Sequence, residues 1–287
     1  MRIQPEIFVS DVRILVSSDG TELYAEAAGD CSKPAIVFIH GFFLSSIVFD
    51  GIFDDLSWLS KAYLVRYDVR GHGRSGKPRF EDAWESRRFA EDFDTVLQAF
   101  QLTKPFVAGW SLGATNIADI LSFQEPAYLS GIIYIAPLPT MGNISQVMSD
   151  VCHECFPPLI ENHDVDAYQE ASNTFVSLCS TFMNHSMRLA CLGSFLLQPR
   201  FVAMSLLSRT QGETGLLRAG KEFGLPLLVF LGKKDDLIIN EEIISWTSDW
   251  KKARVVEIDG DHTPWLGNPV LFRREVLDWV RTTASRC

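Results

Sequence analysis

The sequence predicts an α/β fold: a doubly wound, mostly parallel eight-stranded sheet with an inserted helical cap. Three observations predict it. Short continuous apolar runs alternate with segments whose apolar residues recur at helical spacing, the pattern of strands and helices wound into one parallel sheet. A hairpin signal stands ahead of that alternation, near the start of the chain. The alternation stops between about residues 137 and 208 and then resumes, which divides the chain into core (1–136), cap (137–208) and core again (209–287).

Val12 to Ser17 and Thr21 to Ala27 are β-favouring runs joined at Asp19-Gly20, so the chain is expected to open with an antiparallel pair. Ala35-Ile-Val-Phe-Ile39 is apolar throughout, as in a strand covered on both faces, and it ends at His40-Gly41-Phe42. Similar runs follow at Tyr63 to Tyr67, Pro105 to Ala108, Gly131 to Ala136, Leu225 to Leu231 and Arg254 to Ile258. Between them, Phe89, Phe93, Val96, Leu97 and Phe100 repeat at 3.6-residue spacing, as do Phe272, Val276, Trp279 and Val280. Residues 137–208 cluster Phe, Met and Leu with Cys and Ser and carry no strand pattern, hence the helical reading.

Composition narrows the function. Of 287 residues, 47% are hydrophobic and 22% charged, enough for a large core in one elaborated domain. A formal charge of -10 opposes the positive field that nucleic acids or anionic membranes attract, so a small neutral or apolar substrate is the expected partner. A homo-oligomer stays open. No 18-residue apolar run occurs, and charges interrupt the N-terminal MRIQPEIFVSDVR too early for a signal core, which predicts a cytoplasmic protein without membrane insertion. The six cysteines are expected to be free thiols. Cys152 and Cys155 form a C-H-E-C run, but no second ligand pair completes a four-ligand set, so no metal is expected. The sequons at Asn143 and Asn184 matter only after secretion, and Cys287 is terminal, which does not fit a prenylation box.

The chemistry concentrates at three strand ends. Gly109-Trp110-Ser111-Leu112-Gly113 matches G-x-S-x-G, a pattern that arises by chance in such a chain with a probability of roughly 0.1. Placement carries the weight: the motif follows an apolar run and precedes the helix-like Ala114 to Leu121, the strand–turn–helix context that projects a serine hydroxyl above a sheet. A serine hydroxyl needs a base, and the base needs a carboxylate to fix its tautomer; the expected chain order is serine, acid, histidine. Of six histidines, only His262 lies beyond the last strands, in the loop Asp259-Gly-Asp-His262. Gly232-Lys-Lys-Asp235-Asp236 ends the run Leu225 to Leu231 and offers Asp235 as the acid, with Asp236 as a competitor. The preceding run leads into Pro137-Leu138-Pro139, without a carboxylate.

Acyl transfer also needs backbone donors for an oxyanion. Leu112, after the serine, and Phe42, after the third strand, are the expected donors, with Phe43 as the alternative to Phe42. His40 is read as ordering that loop by hydrogen bonding. The glycine-rich Asp68 to Gly76 lacks the G-K-[ST] ending of a phosphate loop and reads as an irregular turn braced by Asp68 and Arg70. Trp110, Phe43 and Trp265 are candidate substrate-binding residues by their nearness in sequence to the serine, the oxyanion loop and the histidine. In the cap, Phe156, Phe175, Phe182, Met183, Met187, Phe195 and Leu196 are candidates to roof an apolar pocket.

Together, H-G-F at 40–42, D-x-R-G-H-G-R-S from Asp68, G-W-S-L-G at 109–113, G-x-x-D at 232–235 and D-H-T-P at 261–264 resemble the α/β-hydrolase superfamily in content and order. The likeness is greatest to its capped esterases, lactonases and cofactor-free haloperoxidases (perhydrolases). It implies hydrolysis of a carboxylic ester or lactone of a small to medium hydrophobic substrate, with Ser111, Asp235 and His262 as a triad and no cofactor. Similar epoxide hydrolases and haloalkane dehalogenases carry aspartate where this chain has Ser111, which argues against both activities. The same residues would serve a carbon–carbon bond hydrolase or a lyase, and a ligand-binding protein without turnover is a further alternative.

Overall fold

In the computed structural model, which describes residues 9–160 and 163–285, the hairpin closes where Asp19-Gly20 places it. Gly20 takes a φ of +84°, and the Asp19 carboxylate accepts the Thr21 N–H at 2.9 Å. Strands β1 (Asp11–Val16) and β2 (Glu22–Gly29) therefore pair antiparallel, from Asp11 opposite Ala27 to Val16 opposite Glu22.

β3 (Ala35–Ile39) and β4 (Tyr63–Tyr67) have the bounds read from their apolar runs. β5 (Phe106–Trp110) starts one residue later than its run, because Pro105 has no N–H for the ladder, and continues through Gly109 and Trp110, which pair with Tyr134 and Ile135. β6 (Gly131–Ile135), β7 (Leu227–Gly232) and β8 (Ala253–Ile258) complete an eight-stranded sheet in the order β1-β2-β4-β3-β5-β6-β7-β8. From β4 to β8 every neighbouring pair is parallel. The residues of β5, β6 and β7 are buried throughout, which explains their unbroken apolar runs, whereas β8 at the sheet edge exposes part of its length.

Helix α1 (Ser86–Ala99) buries Phe89, Phe93, Val96 and Leu97. α2 (Thr115–Phe123) follows β5 and is buried nearly all round. Between β6 and β7 lie the longer helices α3 (Asp150–Ile160), α4 (Val165–Cys179), α5 (His185–Leu197) and α6 (Arg200–Ser208). α7 (Asn240–Thr247) joins β7 to β8, and α8 (Pro269–Ala284) follows β8. Among the described residues no single helix is long and apolar enough to cross a membrane; α5 and α6 reach that length and composition only as a pair bent by 84°.

The turn after β4 is a buried polar brace. The Asp68 carboxylate accepts the Ser46 N–H at 2.8 Å, the Ser46 hydroxyl at 2.6 Å and the Arg74 N–H at 2.8 Å. Arg70 is fully buried and reaches Asp92 through two bonds, Asp19 at 2.8 Å and the Ala83 carbonyl at 2.6 Å. That network ties the hairpin, the turn and α1 together. Cys31, Cys152, Cys155, Cys179 and Cys191 are free thiols; Cys287 and the first eight residues lie outside the described residues.

Candidate active site

The passage from β5 to α2 is tight enough to exclude side chains at both motif glycines. A Cβ on Gly109 would lie 2.6 Å from the Ala114 Cα, and one on Gly113 would lie 2.4 Å from the His40 carbonyl oxygen. Between them Ser111 is held at a φ of +53°, a left-handed conformation that costs a non-glycine residue of order 1–3 kcal/mol. The Leu138 N–H fixes the Ser111 carbonyl at 3.0 Å. The loop after β3 presses on the same spot, since a Cβ on Gly41 would come within 3.1 Å of the Ser111 Cβ.

Two further strand ends bring Asp235 and His262 together. The Asp235 Oδ2 lies 2.7 Å from His262 Nδ1, and both side chains are shielded from solvent. The other carboxylate oxygen accepts the N–H groups of Leu237 at 2.9 Å and Ile238 at 3.3 Å, which orients it. A carboxylate accepts and does not donate, so Nδ1 carries the imidazole proton and Nε2 keeps its lone pair. Trp110 Nε1–H donates to the His262 carbonyl at 2.8 Å, tying the histidine's main chain to the serine turn. Asp236 is exposed and its carbonyl receives the Ser149 hydroxyl; it does not meet His262.

Ser111 and His262 open onto one cavity of about 20 Å³. The core strands and their loops contribute Phe42, Leu112, Leu138, Leu237 and Ile238 to its wall, and the helices between β6 and β7 contribute Cys152, Phe156, Phe175 and Leu207, with Ile144 and Met148 just before them. The rings of Phe42 and Phe156 stack 5.6 Å apart and 4° from parallel, closing core against insertion.

Phe42 and Leu112 thus stand at the serine, but the structure places the three substrate-binding candidates elsewhere. Trp110 is buried between Phe49, His262 and Trp265, whose own Nε1–H donates to the Val48 carbonyl at 3.2 Å. Phe43 turns away at a φ of +60° and stacks on Phe195 at 4.6 Å. None of the three lines the cavity: Trp110 and Phe43 are next to Ser111 and Phe42 at sharp turns, which send adjacent side chains to opposite sides, and Trp265, three residues past His262, packs on Trp110 and Phe49. Of the cap candidates, Phe156 and Phe175 line the cavity, Phe195 packs beneath it, Met183 and Met187 are partly buried in the packing, and Phe182 and Leu196 are solvent-exposed. The sequence reading missed Leu237 and Ile238, although an apolar pair directly after the acid loop was a usable signal. Met148, Cys152 and Leu207 gave none short of tertiary structure. Cys152 and Cys155 point inward while His153 and Glu154 are exposed, so the C-H-E-C run does not converge.

His40 is fully engaged elsewhere: its Nδ1 donates to the Gly41 carbonyl at 2.8 Å, and its Nε2 accepts the Val69 N–H at 3.0 Å. Burial pushes its pKa below the ordinary histidine value against the opposing charge of Asp68. It orders the loop that carries Phe42.

The fold and these strand-end loops define an α/β hydrolase. Residues 34–269 match the family model described as alpha/beta hydrolase fold, and the chain belongs to that family. Its fold is similar to that of a candidate aryl esterase from Burkholderia cenocepacia, with a TM-score of 0.85, 24% identity and coverage of 96% of this chain and 100% of the other. It is similar also to an N-acyl homoserine lactonase, with a TM-score of 0.75, 15% identity and coverage of 96% and 98%. A non-heme chloroperoxidase from Streptomyces lividans is 28% identical over 126 residues, 44% of each chain. The curated relatives that it matches are covered over 14% to 44% of their own length.

Proposed function

We propose that this α/β hydrolase is a serine hydrolase that cleaves a carboxylic ester or lactone of a small to medium hydrophobic substrate. The observation that carries the reading is the shielded 2.7 Å contact between Asp235 and His262 at a cavity shared with the strained Ser111. His262 Nε2 takes the proton of Ser111 Oγ as the oxygen attacks the carbonyl carbon; Asp235 stabilises the imidazolium that forms. The N–H groups of Leu112 and Phe42 receive the oxyanion. Collapse of the tetrahedral adduct breaks the ester C–O bond, and the proton on His262 passes to the leaving alkoxide. Water then repeats the sequence on the acyl-enzyme and releases the acid. In a lactone the alkoxide stays attached to the acyl chain.

Apart from Ser111 and His262, the cavity wall is apolar or, at Cys152, a thiol whose pKa burial pushes up to about 12. That supports an uncharged apolar acyl group. A cavity of about 20 Å³ holds roughly one water, far less than the ~300–1,000 Å³ of small-molecule sites, so the wall must open to admit substrate, and the helices between β6 and β7 form the cap that closes it. The esterase and lactonase neighbours support the fold and agree with this chemistry.

Fluorophosphonate labelling with peptide mapping, run beside p-nitrophenyl esters of increasing chain length, tests the reading. Label on Ser111 and turnover that Ser111→Ala lowers by ~10⁴-fold or more are expected. A chain neither labelled nor active on any ester or lactone would overturn it in favour of a lyase or a ligand-binding protein.

A further inference from the structure

Besides the Phe42–Phe156 and Phe43–Phe195 stacks, the helices between β6 and β7 meet the core beside His262. The turn joining α4 to α5 lies against the residues that flank His262. One oxygen of the buried Asp261 carboxylate accepts the Thr181 N–H at 2.7 Å and the Thr181 hydroxyl at 3.1 Å. The other accepts the Thr263 N–H at 3.1 Å and the Thr263 hydroxyl at 2.8 Å. The Thr263 and Ser180 hydroxyls are 2.6 Å apart, and Ser180 Oγ also accepts the Phe182 N–H at 3.1 Å. Asp261, Thr263 and Ser180 are all buried, so the bonds among them and their loop are shielded from solvent, while the exposed Thr181 meets the carboxylate from the rim. Breaking them without replacement leaves a carboxylate stranded in the interface.

The same loop is pinned on its core side. A Cβ on Gly232 would fall 1.9 Å from the Asp261 carbonyl oxygen, so the end of β7 sits directly on that peptide. The next residue, His262, has its ring on Asp235 and its carbonyl on Trp110. Asp261 is therefore the one residue of the loop whose main chain is clamped by the sheet while its side chain is clamped by the inserted helices.

We propose that Asp261 is a positioning residue that couples seating of the inserted helices to the placement of His262, so that the base is held at the cavity only when the α4–α5 turn is docked. This rests on the hydrolase reading above. Asp261 touches no reacting atom; it acts through the loop. A shift of about 1 Å in a general base costs on the order of 10²-fold in rate, so a loop released from the turn loses kcat without losing its acyl-binding wall.

The test uses the full chain, active-site titration with a fluorophosphonate and kcat per titrated site on a p-nitrophenyl ester. Asp261→Asn keeps the shape and one acceptor; Ser180→Ala with Thr181→Pro removes the Thr181 N–H as well as both hydroxyls from the cap side without touching the loop, and the extended backbone of Ser180 can precede a proline. Both are expected to lower kcat per titrated site by ~10- to 100-fold with KM within about threefold, and the combined variant to fall no further than the worse of the two. A merely structural role would instead reduce the number of titratable sites and leave kcat per site unchanged, and that result overturns the proposal. Loss in Asp261→Asn with none in the Ser180/Thr181 variant overturns the coupling to the inserted helices. Should Asp261→Asn not fold, the Ser180/Thr181 variant decides alone. A wild-type chain that takes no label and turns over no ester defeats the hydrolase reading first, and is told apart from these outcomes by the wild-type titration.

Discussion

Two carboxylate–histidine arrangements stand at the same edge of the sheet, and they come to opposite ends. Asp68 follows β4 and faces His40 after β3; Asp235 follows β7 and faces His262 after β8. At the first, both imidazole nitrogens are taken by the backbone and the carboxylate by Ser46 and Arg74. At the second, the carboxylate takes Nδ1 while the ring opens onto the cavity beside Ser111. The residue types are the same and both pairs are buried. The ring nitrogen left over after the structural bonds are made distinguishes a scaffold from a proposed proton carrier.

The largest effects should separate the two histidines. His262→Ala is expected to lower kcat per folded enzyme by ~10⁴-fold or more, with loss of fluorophosphonate labelling. His40→Ala should instead destabilise the fold, by about 2–4 kcal/mol for a buried ring whose two backbone partners lose their bonds, while costing kcat per site at least a hundredfold less. Urea denaturation of both variants, with kinetics per folded enzyme for His262→Ala and per titrated site for His40→Ala, checks this, and equal losses of kcat would erase the distinction.

The carboxylates sharpen it further. Asp235→Asn preserves shape but presents an amide to Nδ1 and favours the wrong tautomer, so a loss of ~10³–10⁴ in kcat is expected. Asp236→Asn, exposed and without contact to the ring, should stay within about twofold. Kinetics that ranked Asp236 above Asp235 would mean that the loop rearranges before catalysis.

The scaffold half of this comparison was more legible in sequence than the cavity half. Ala35–Ile39 is readable to the residue because a strand covered on both faces leaves no polar interruption, and Tyr63–Tyr67 is readable despite Arg66, whose charge is buried against Glu26 of β2. Asp68 and Arg70 are readable as a brace because glycines and charges in a turn between apolar strands must satisfy one another. The cavity wall is different. It is assembled from loops after β6 and β7 and from helices whose apolar residues serve packing and lining alike, so Phe156 and Phe195 look the same in sequence and part ways only in space. Trp110, Phe43 and Trp265 show the reverse error, near the chemistry along the chain yet behind the wall. Asp261 reads in sequence as one acid of an Asp-Gly-Asp loop, since nothing local reveals that its partner Thr181 lies 80 residues away.

The smallest expected effect is one of pH. Burial pushes His40 below the ordinary histidine value, and burial together with the neighbouring His40 pushes His72 down to about 3. Asp68 opposes both shifts, and Lys77 adds to that of His72. Both rings therefore bind a proton less readily when folded than when unfolded, where they titrate near pH 6.5. The unfolded state then holds more protons, so stability is fully present above that pH and is lost as pH falls; for His72 the loss runs down toward pH 3, by up to ~1.4 kcal/mol per pH unit, and His40 adds to it in the same direction. His72→Asn keeps a donor for the Arg70 carbonyl, which His72 Nδ1 serves at 3.2 Å, and removes the titration. The expected result is a shallower decline of unfolding free energy between pH 6.5 and 4, by up to one proton's worth of slope, with pH–rate profiles above pH 6.5 superimposed on those of the wild type. An unchanged slope would show that the acid sensitivity lies outside the scaffold histidines, and a displaced rate profile would show that the two carboxylate–histidine systems are electrostatically joined rather than separate.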